Sequence, residues 1–159
     1  MNDQQCFILG SVLGKDLTGD ECAMFKDLGE IRDLKDGEVL IEEGKVDNRL
    51  HLVIDGNVAV TRKTTGEDWV VLHILRKGEL AGELGFIDGQ EHSATLRAIG
   101  PARVFSLERN RFESLLESNP LLVYRVMRAI IRGVHNTLRR MNVQQMEMTN
   151  YITRQHGRY

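Results

Sequence analysis

The rhythm of apolar and polar positions changes twice along this chain. Residues 16–29, DLTGDECAMFKDLG, put Phe25 and Leu28 on one helical face, with Asp16 or Thr18 as N-cap and Gly29 as the stop. From about Glu30 to Leu107 the period shortens to that of strands. Alternating runs such as LHLVI (50–54), VAVTR (58–62) and WVVLHIL (69–75) are punctuated by glycines at 37, 44, 56, 66, 78 and 89. Turn signals roughly 8–12 residues apart predict an antiparallel sandwich or barrel, not parallel strands joined by helices. Gly56-Asn57 and Thr65-Gly66-Glu67 are the expected hairpin turns, and ARVFSL (102–107) reads as the last strand.

Helical spacing then returns. RNRFESLLESNP (109–120) predicts a short helix that ends before Pro120, since proline disfavours helix in the residue before it. From Leu121 onward one long helix is expected. Val123, Val126, Met127, Ile130, Val134, Leu138, Met141, Met148 and Ile152 form a broad stripe, with Arg125, Arg128, Arg132 and Arg139 on the opposite face. Gly133 weakens this helix by about 1 kcal/mol relative to alanine. The stripe outruns what a small β-domain covers. A parallel pairing with a second copy is expected over a helix packed wholly on its own sheet, with Gln144-Gln145 making the distal part less apolar.

Composition narrows the class. Apolar residues make up 42% and charged residues 28% of 159, enough for one core and not the balance of a disordered chain. No apolar run approaches the about 20 residues of a membrane helix, and no secretory leader is visible. Cys6 and Cys22 are too few for a four-cysteine metal cluster, so a cytoplasmic protein is expected. The net charge of −2 hides an asymmetry: residues 121–159 carry seven arginines against Glu147 alone. The break divides the chain into an expected β-domain with its N-terminal helix (1–120) and a helical segment (121–159). Arginine stems covering apolar surface, with charges solvated or paired to the acidic roll, explain the basic face more simply than nucleic-acid contact.

Candidate chemistry concentrates in GELAGELGFIDGQEHSATLRA (78–98). A glycine-rich turn running into a helical turn leaves N–H donors for an anion, and Ser93 adds a hydroxyl. Glu83 repels a phosphate but accepts hydrogen bonds from sugar hydroxyls. Donors for a phosphate beside an acid for a ribose describe a nucleotide, with His92 standing where a cation is needed. The five histidines contain no His-x-His pair, no metal site is expected, and no nucleophile–base constellation is visible. A binding protein is expected, not an enzyme.

These residues resemble the phosphate-binding cassette of the cyclic nucleotide-binding domain family, shared by catabolite activator proteins and protein kinase A regulatory subunits. Gly82-Glu83-Leu84 and Ser93-Ala94 match, nine residues separate Glu83 from the basic position, and Gly37, Gly44, Gly56 and Asn119-Pro120 correspond to the family's turns. The resemblance spans roughly 16–142. It implies a mainly β fold with α: a jelly-roll-like antiparallel β-roll of eight strands, an N-terminal helix and a long C-terminal dimerisation helix. It selects Glu83 over Glu79, whose Gly-Glu-Leu belongs to the preceding turn. It implies a cyclic nucleotide, cAMP or cGMP, as ligand and no other cofactor. Thr137 would reach the purine across a homodimer seam, or simply bond back to a helix carbonyl. Val60 and Leu72 would line the base pocket, where core packing explains them equally well.

His92 departs from the family's arginine. A guanidinium is always charged and bonds two phosphate oxygens at once, whereas an unperturbed imidazole, with a pKa of about 6.5, is mostly neutral above pH 7. Losing the bidentate contact costs roughly 2–5 kcal/mol. Weak or pH-dependent cyclic nucleotide binding, a different ligand, and a ligand-free dimeric interaction scaffold all remain open. The expected function is a regulatory sensor acting in trans on a protein partner, with no membrane role. The family's helix-turn-helix would follow the long helix, where little chain remains, so DNA binding within these residues is not expected.

Overall fold

In the computed structural model, which describes residues 7–156, Thr18 begins the first helix. Its hydroxyl accepts from the Glu21 amide and the Glu21 carboxylate accepts from the Thr18 amide, a reciprocal capping box for α1 (Gly19–Leu28). Gly29 ends it, its N–H bonded to the Lys26 carbonyl. Phe25 is fully buried and Leu28 packs against the same cluster. Cys22 is buried, while Cys6 lies outside the described residues.

Six strands follow: β1 (Glu30–Leu34), β2 (Val39–Ile41), β3 (Arg49–Lys63), β4 (Trp69–Leu75), β5 (Leu80–Ala81) and β6 (Thr95–Glu108). All pair antiparallel, in the order β1-β6-β3-β4, with β2 also on β6 and β5 on β3. The two longest strands account for the lower count than the eight expected. Gly56-Asn57 is not a hairpin turn. It lies inside β3, where Gly56 adopts φ +78° and the register to β6 slips on both sides of Asp55. A positive-φ residue within a paired strand bends the ladder without ending it, so LHLVI and VAVTR are one strand. Thr65-Gly66-Glu67 is the β3–β4 turn, closed by the Thr64 amide on the Asp68 carbonyl.

Two cores result. Leu34, Ile41, Val53, Val58, Leu96 and Val104 fill the roll. The second core joins α1 and the ends of β3 and β6 to α2 (Glu83–Asp88), α3 (Arg109–Glu113), α4 (Leu115–Ser118) and α5 (Pro120–His156). Phe86 of α2 touches Phe112, which meets Phe25 edge-on, and Phe25 in turn meets Phe105. The expected single helix over 109–120 is thus two short ones.

At 37 residues α5 is about 55 Å long. Leu122, Val123, Val126, Ala129 and Ile130 are buried against the second core, but from Ile131 onward no described residue is buried. The apolar stripe continues in the open through Leu138, Met141, Met148 and Ile152.

Candidate functional site

The cradle begins where β5, held against His51 and Leu52 of β3, delivers the chain to Gly82. Gly82 caps α2 with φ +74°, and a Cβ there would lie 2.9 Å from the Arg49 carbonyl oxygen. Only glycine meets both demands. Phe86 anchors the other side of α2, and Gly89 closes it, its N–H on the Gly85 carbonyl. The first amides of such a turn have no acceptor within the helix. Leu84 is exposed. Burial pushes the Glu83 carboxyl above its ordinary range. Its own backbone N–H and the neighbouring His92 pull the other way without overcoming that.

His92 is clamped to the turn before β3. Its amide bonds to the Lys45 carbonyl at 2.9 Å, and its own carbonyl accepts from the Gly44 amide at 2.8 Å. The half-buried ring lies over the start of α2: a Cβ on Gly85 would sit 2.8 Å from its Cε1. Nε2 donates to the Asp47 carbonyl oxygen at 3.2 Å.

Asp47 carries a second histidine on its carboxylate. His51 of β3 is fully buried, with Nε2 3.1 Å from Asp47 Oδ2 and Nδ1 2.8 Å from Ser106 Oγ on β6. A carboxylate only accepts, so Nε2 of a neutral His51 carries the hydrogen and Nδ1 accepts from the Ser106 hydroxyl. Burial pushes the His51 pKa down, against the pull of Asp47, and keeps the ring neutral. Burial is the strongest single influence on Asp47 and opposes its ionisation, but the hydrogen bond from His51 and the positive groups around it together hold this carboxyl below its usual range. Serine, histidine and aspartate are the residue types of a hydrolytic triad. Here Ser106 is 3% exposed and His51 0% exposed, so a substrate carbonyl cannot reach them.

Gly82, Glu83, Leu84, His92, Ser93 and Ala94 therefore belong to one continuous feature, with Ser93 exposed and Ala94 half-buried. Val60 is partly buried against the roll core. Leu72 is exposed at the β-bulge where Val60 pairs with His73 and Thr61 with Val71. Thr137 is half-buried on α5, one turn before Arg140, whose guanidinium donates to His73 Nε2 of β4 at 3.2 Å. The other Gly-Glu-Leu is a turn: Glu79 accepts from the Arg76 amide at 2.8 Å and stands 3.5 Å from His73. Asp47, His51, Gly85 and Ser106 were not singled out by the sequence, because contacts across 45 and 55 residues leave no local pattern.

The basic face of α5 is largely paired near its start. Arg125 bonds Glu21 at 2.6 and 2.7 Å, Arg132 bonds Asp16 at 2.7 and 3.1 Å, and Arg128 stands 3.7 Å from Asp16. The Arg132 hydrogen bond first, and then the charges of Arg132, Arg128 and Arg125, hold the Asp16 carboxyl below its usual range against its desolvation. These three arginines bind the acidic N-terminal region, with partners on or just before α1 and not on the roll.

The fold is thus an antiparallel sheet with a glycine-bounded helical turn and a long C-terminal helix. Residues 31–119, more than half of the chain, match the cyclic nucleotide-binding domain, and the chain belongs to that family. The cAMP-activated global transcriptional regulator CRP of Salmonella typhimurium is 29% identical over 143 residues, 89% of this chain and 68% of that protein. The cAMP-dependent protein kinase regulatory subunit of Dictyostelium discoideum is 30% identical over 84 residues, 51% of this chain and 26% of that one. A solved cyclic nucleotide-binding domain from Methylobacillus flagellatus superposes with a TM-score of 0.83 at 21% identity, covering 89% of this chain and 82% of that one. That likeness carries the fold. Among the described residues no cluster of metal-ligating side chains occurs, and no helix is long and apolar enough to cross a membrane.

Proposed function

We propose that the chain is a cyclic nucleotide sensor whose phosphate binding depends on pH and whose output passes in trans to a protein partner. Gly82, Glu83 and Leu84 form the ribose side of the cradle, and His92, Ser93 and Ala94 the phosphate side. The observation that carries the reading is Glu83: a carboxyl desolvated at the start of a glycine-capped turn, in a loop that also holds His92. Such a group gains most from a hydroxyl donor that replaces its lost water. A neutral imidazole with Nε2–H committed to Asp47 has only a lone pair at Nδ1. Phosphate oxygens reject a lone pair and accept from an imidazolium.

The base would lie against Val60 and Leu72, with Thr137 contributed from a second copy through parallel pairing of α5. The open stripe beyond Ile131 supports that pairing. Ligand would move α2, and Phe86 would transmit the movement through Phe112 to the helical core on which α5 rests.

Thermal unfolding with cyclic AMP, cyclic GMP and a cyclic pyrimidine nucleotide, at pH 6 and pH 8, tests the reading. At a hundred times its dissociation constant a ligand adds about 2.7 kcal/mol of stability. A shift at pH 6 is expected for at least one of them. No shift at either pH rejects the sensor in favour of a ligand-free dimeric scaffold.

A further inference from the structure

The bonds around His92 fix more than its position. A carbonyl oxygen offers only lone pairs, so the contact from Nε2 to Asp47 requires the hydrogen on Nε2. Among the described residues no partner is found for Nδ1, and it is not a buried unsatisfied atom. Which nitrogen carries the single hydrogen of neutral His92 therefore depends on where the Asp47 carbonyl is held. Ser106 Oγ donates to His51 Nδ1, and His51 Nε2 donates to the Asp47 carboxylate. His51 is held in place because it is fully buried and bonded at both ring nitrogens.

We propose that Ser106, His51 and Asp47 form a positioning relay that locks neutral His92 in its Nε2–H tautomer, so that Nδ1 is the nitrogen through which His92 meets a ligand. In the sensor reading on which its consequence for binding rests, the relay makes His92 an on–off donor. The locked neutral ring offers phosphate nothing, whereas the imidazolium keeps its Asp47 bond and donates from Nδ1. An unlocked ring could place its one hydrogen on Nδ1 and donate while neutral. The relay thus sharpens pH dependence at the expense of affinity at high pH. The groups facing His92 are Glu83 from α2 and Asp47 from the turn before β3, while Arg49 and His51 of β3 act on Asp47.

Nitrogen-15 NMR of the histidine rings tests the relay without any ligand, with His92 assigned by its loss in His92→Asn. At pH 8 the ligand-free protein should show His92 as the Nε2–H tautomer. Asp47→Ala, a loop substitution that leaves the buried His51–Ser106 pair in place, should give a mixture of tautomers. Asp47→Asn, which retains an oxygen acceptor for His51, should restore the single tautomer. A mixed or Nδ1–H tautomer in the native protein overturns the proposal, as does a pure Nε2–H tautomer in Asp47→Ala. A second arm measures cyclic AMP affinity at both pH values. The ratio of affinities at pH 6 and pH 8 should fall several-fold toward unity in Asp47→Ala, and an unchanged ratio overturns the relay. Absence of binding by the native protein would reject the sensor reading, and the tautomer measurement would still decide the relay.

Discussion

The tripeptide Gly-Glu-Leu occurs twice within seven residues, and its two copies have opposite fates. In the first, Glu79 folds back on a turn, accepts from the Arg76 amide and keeps 37% of its side chain in solvent. In the second, Glu83 opens α2 after a left-handed glycine and sits where burial makes its charge costly. Identical residues thus perform structural and candidate ligand-binding work because of what packs on them. Glu79 is stabilised by the fold that surrounds it. Glu83 is held at a cost that a bound hydroxyl would offset.

The widest separation of the two copies is expected in ligand affinity. Glu83→Gln should weaken cyclic AMP binding by about 1.5–3 kcal/mol, or roughly 10- to 150-fold, because a charged acceptor is lost. Glu79→Gln should leave it within about twofold, since surface changes away from a site rarely matter. Calorimetric titration distinguishes the two, and equal losses would erase the contrast.

The two copies also differ in how pH acts on stability, because the His51 ring lies beneath Gly82 of the second. Its pKa is lower folded than unfolded. Above the unfolded value of about 6.5 neither state binds the proton. As pH falls below it the unfolded chain takes up a proton that the buried ring refuses, and stability drops by up to about 1.4 kcal/mol per pH unit. Thermal unfolding from pH 7.5 to 5.5 should show that decline, and His51→Gln should flatten it. A slope unchanged by this substitution would mean that His51 is charged in the fold.

The smallest effects lie in ligand-free stability, with opposite signs. Glu79→Gln should destabilise by about 1 kcal/mol through the weakened bond to the Arg76 amide. For Glu83 the folded pKa is raised, so its contribution is lost as pH rises through that value and the ionised group is a burden at pH 7. Glu83→Gln should therefore leave the melting temperature unchanged or raise it. A fall as large as that of Glu79→Gln would place Glu83 among the structural residues.

Local pattern carried much of this architecture. The Thr18 cap, the 64–68 turn and the long helix after Asn119 are each written within a few neighbouring residues. The glycine-bounded cradle was legible for the same reason. Gly56-Asn57 misled because a positive-φ glycine looks alike in a hairpin turn and in a bend within a long strand. Only pairing with β6 on both sides of it decides between them. His51 read as one more position in an alternating strand, since nothing near it in sequence announces Ser106. Likewise, His92 was legible as an exception to the family pattern, but the commitment of its Nε2 to Asp47 was not.

Central to this account is that His92 serves a cyclic phosphate only as an imidazolium. Calorimetric titration of the protein with cyclic AMP at pH 6 and pH 8 tests it most directly. The dissociation constant should be at least several-fold lower at pH 6, whereas equal constants at the two pH values would contradict it.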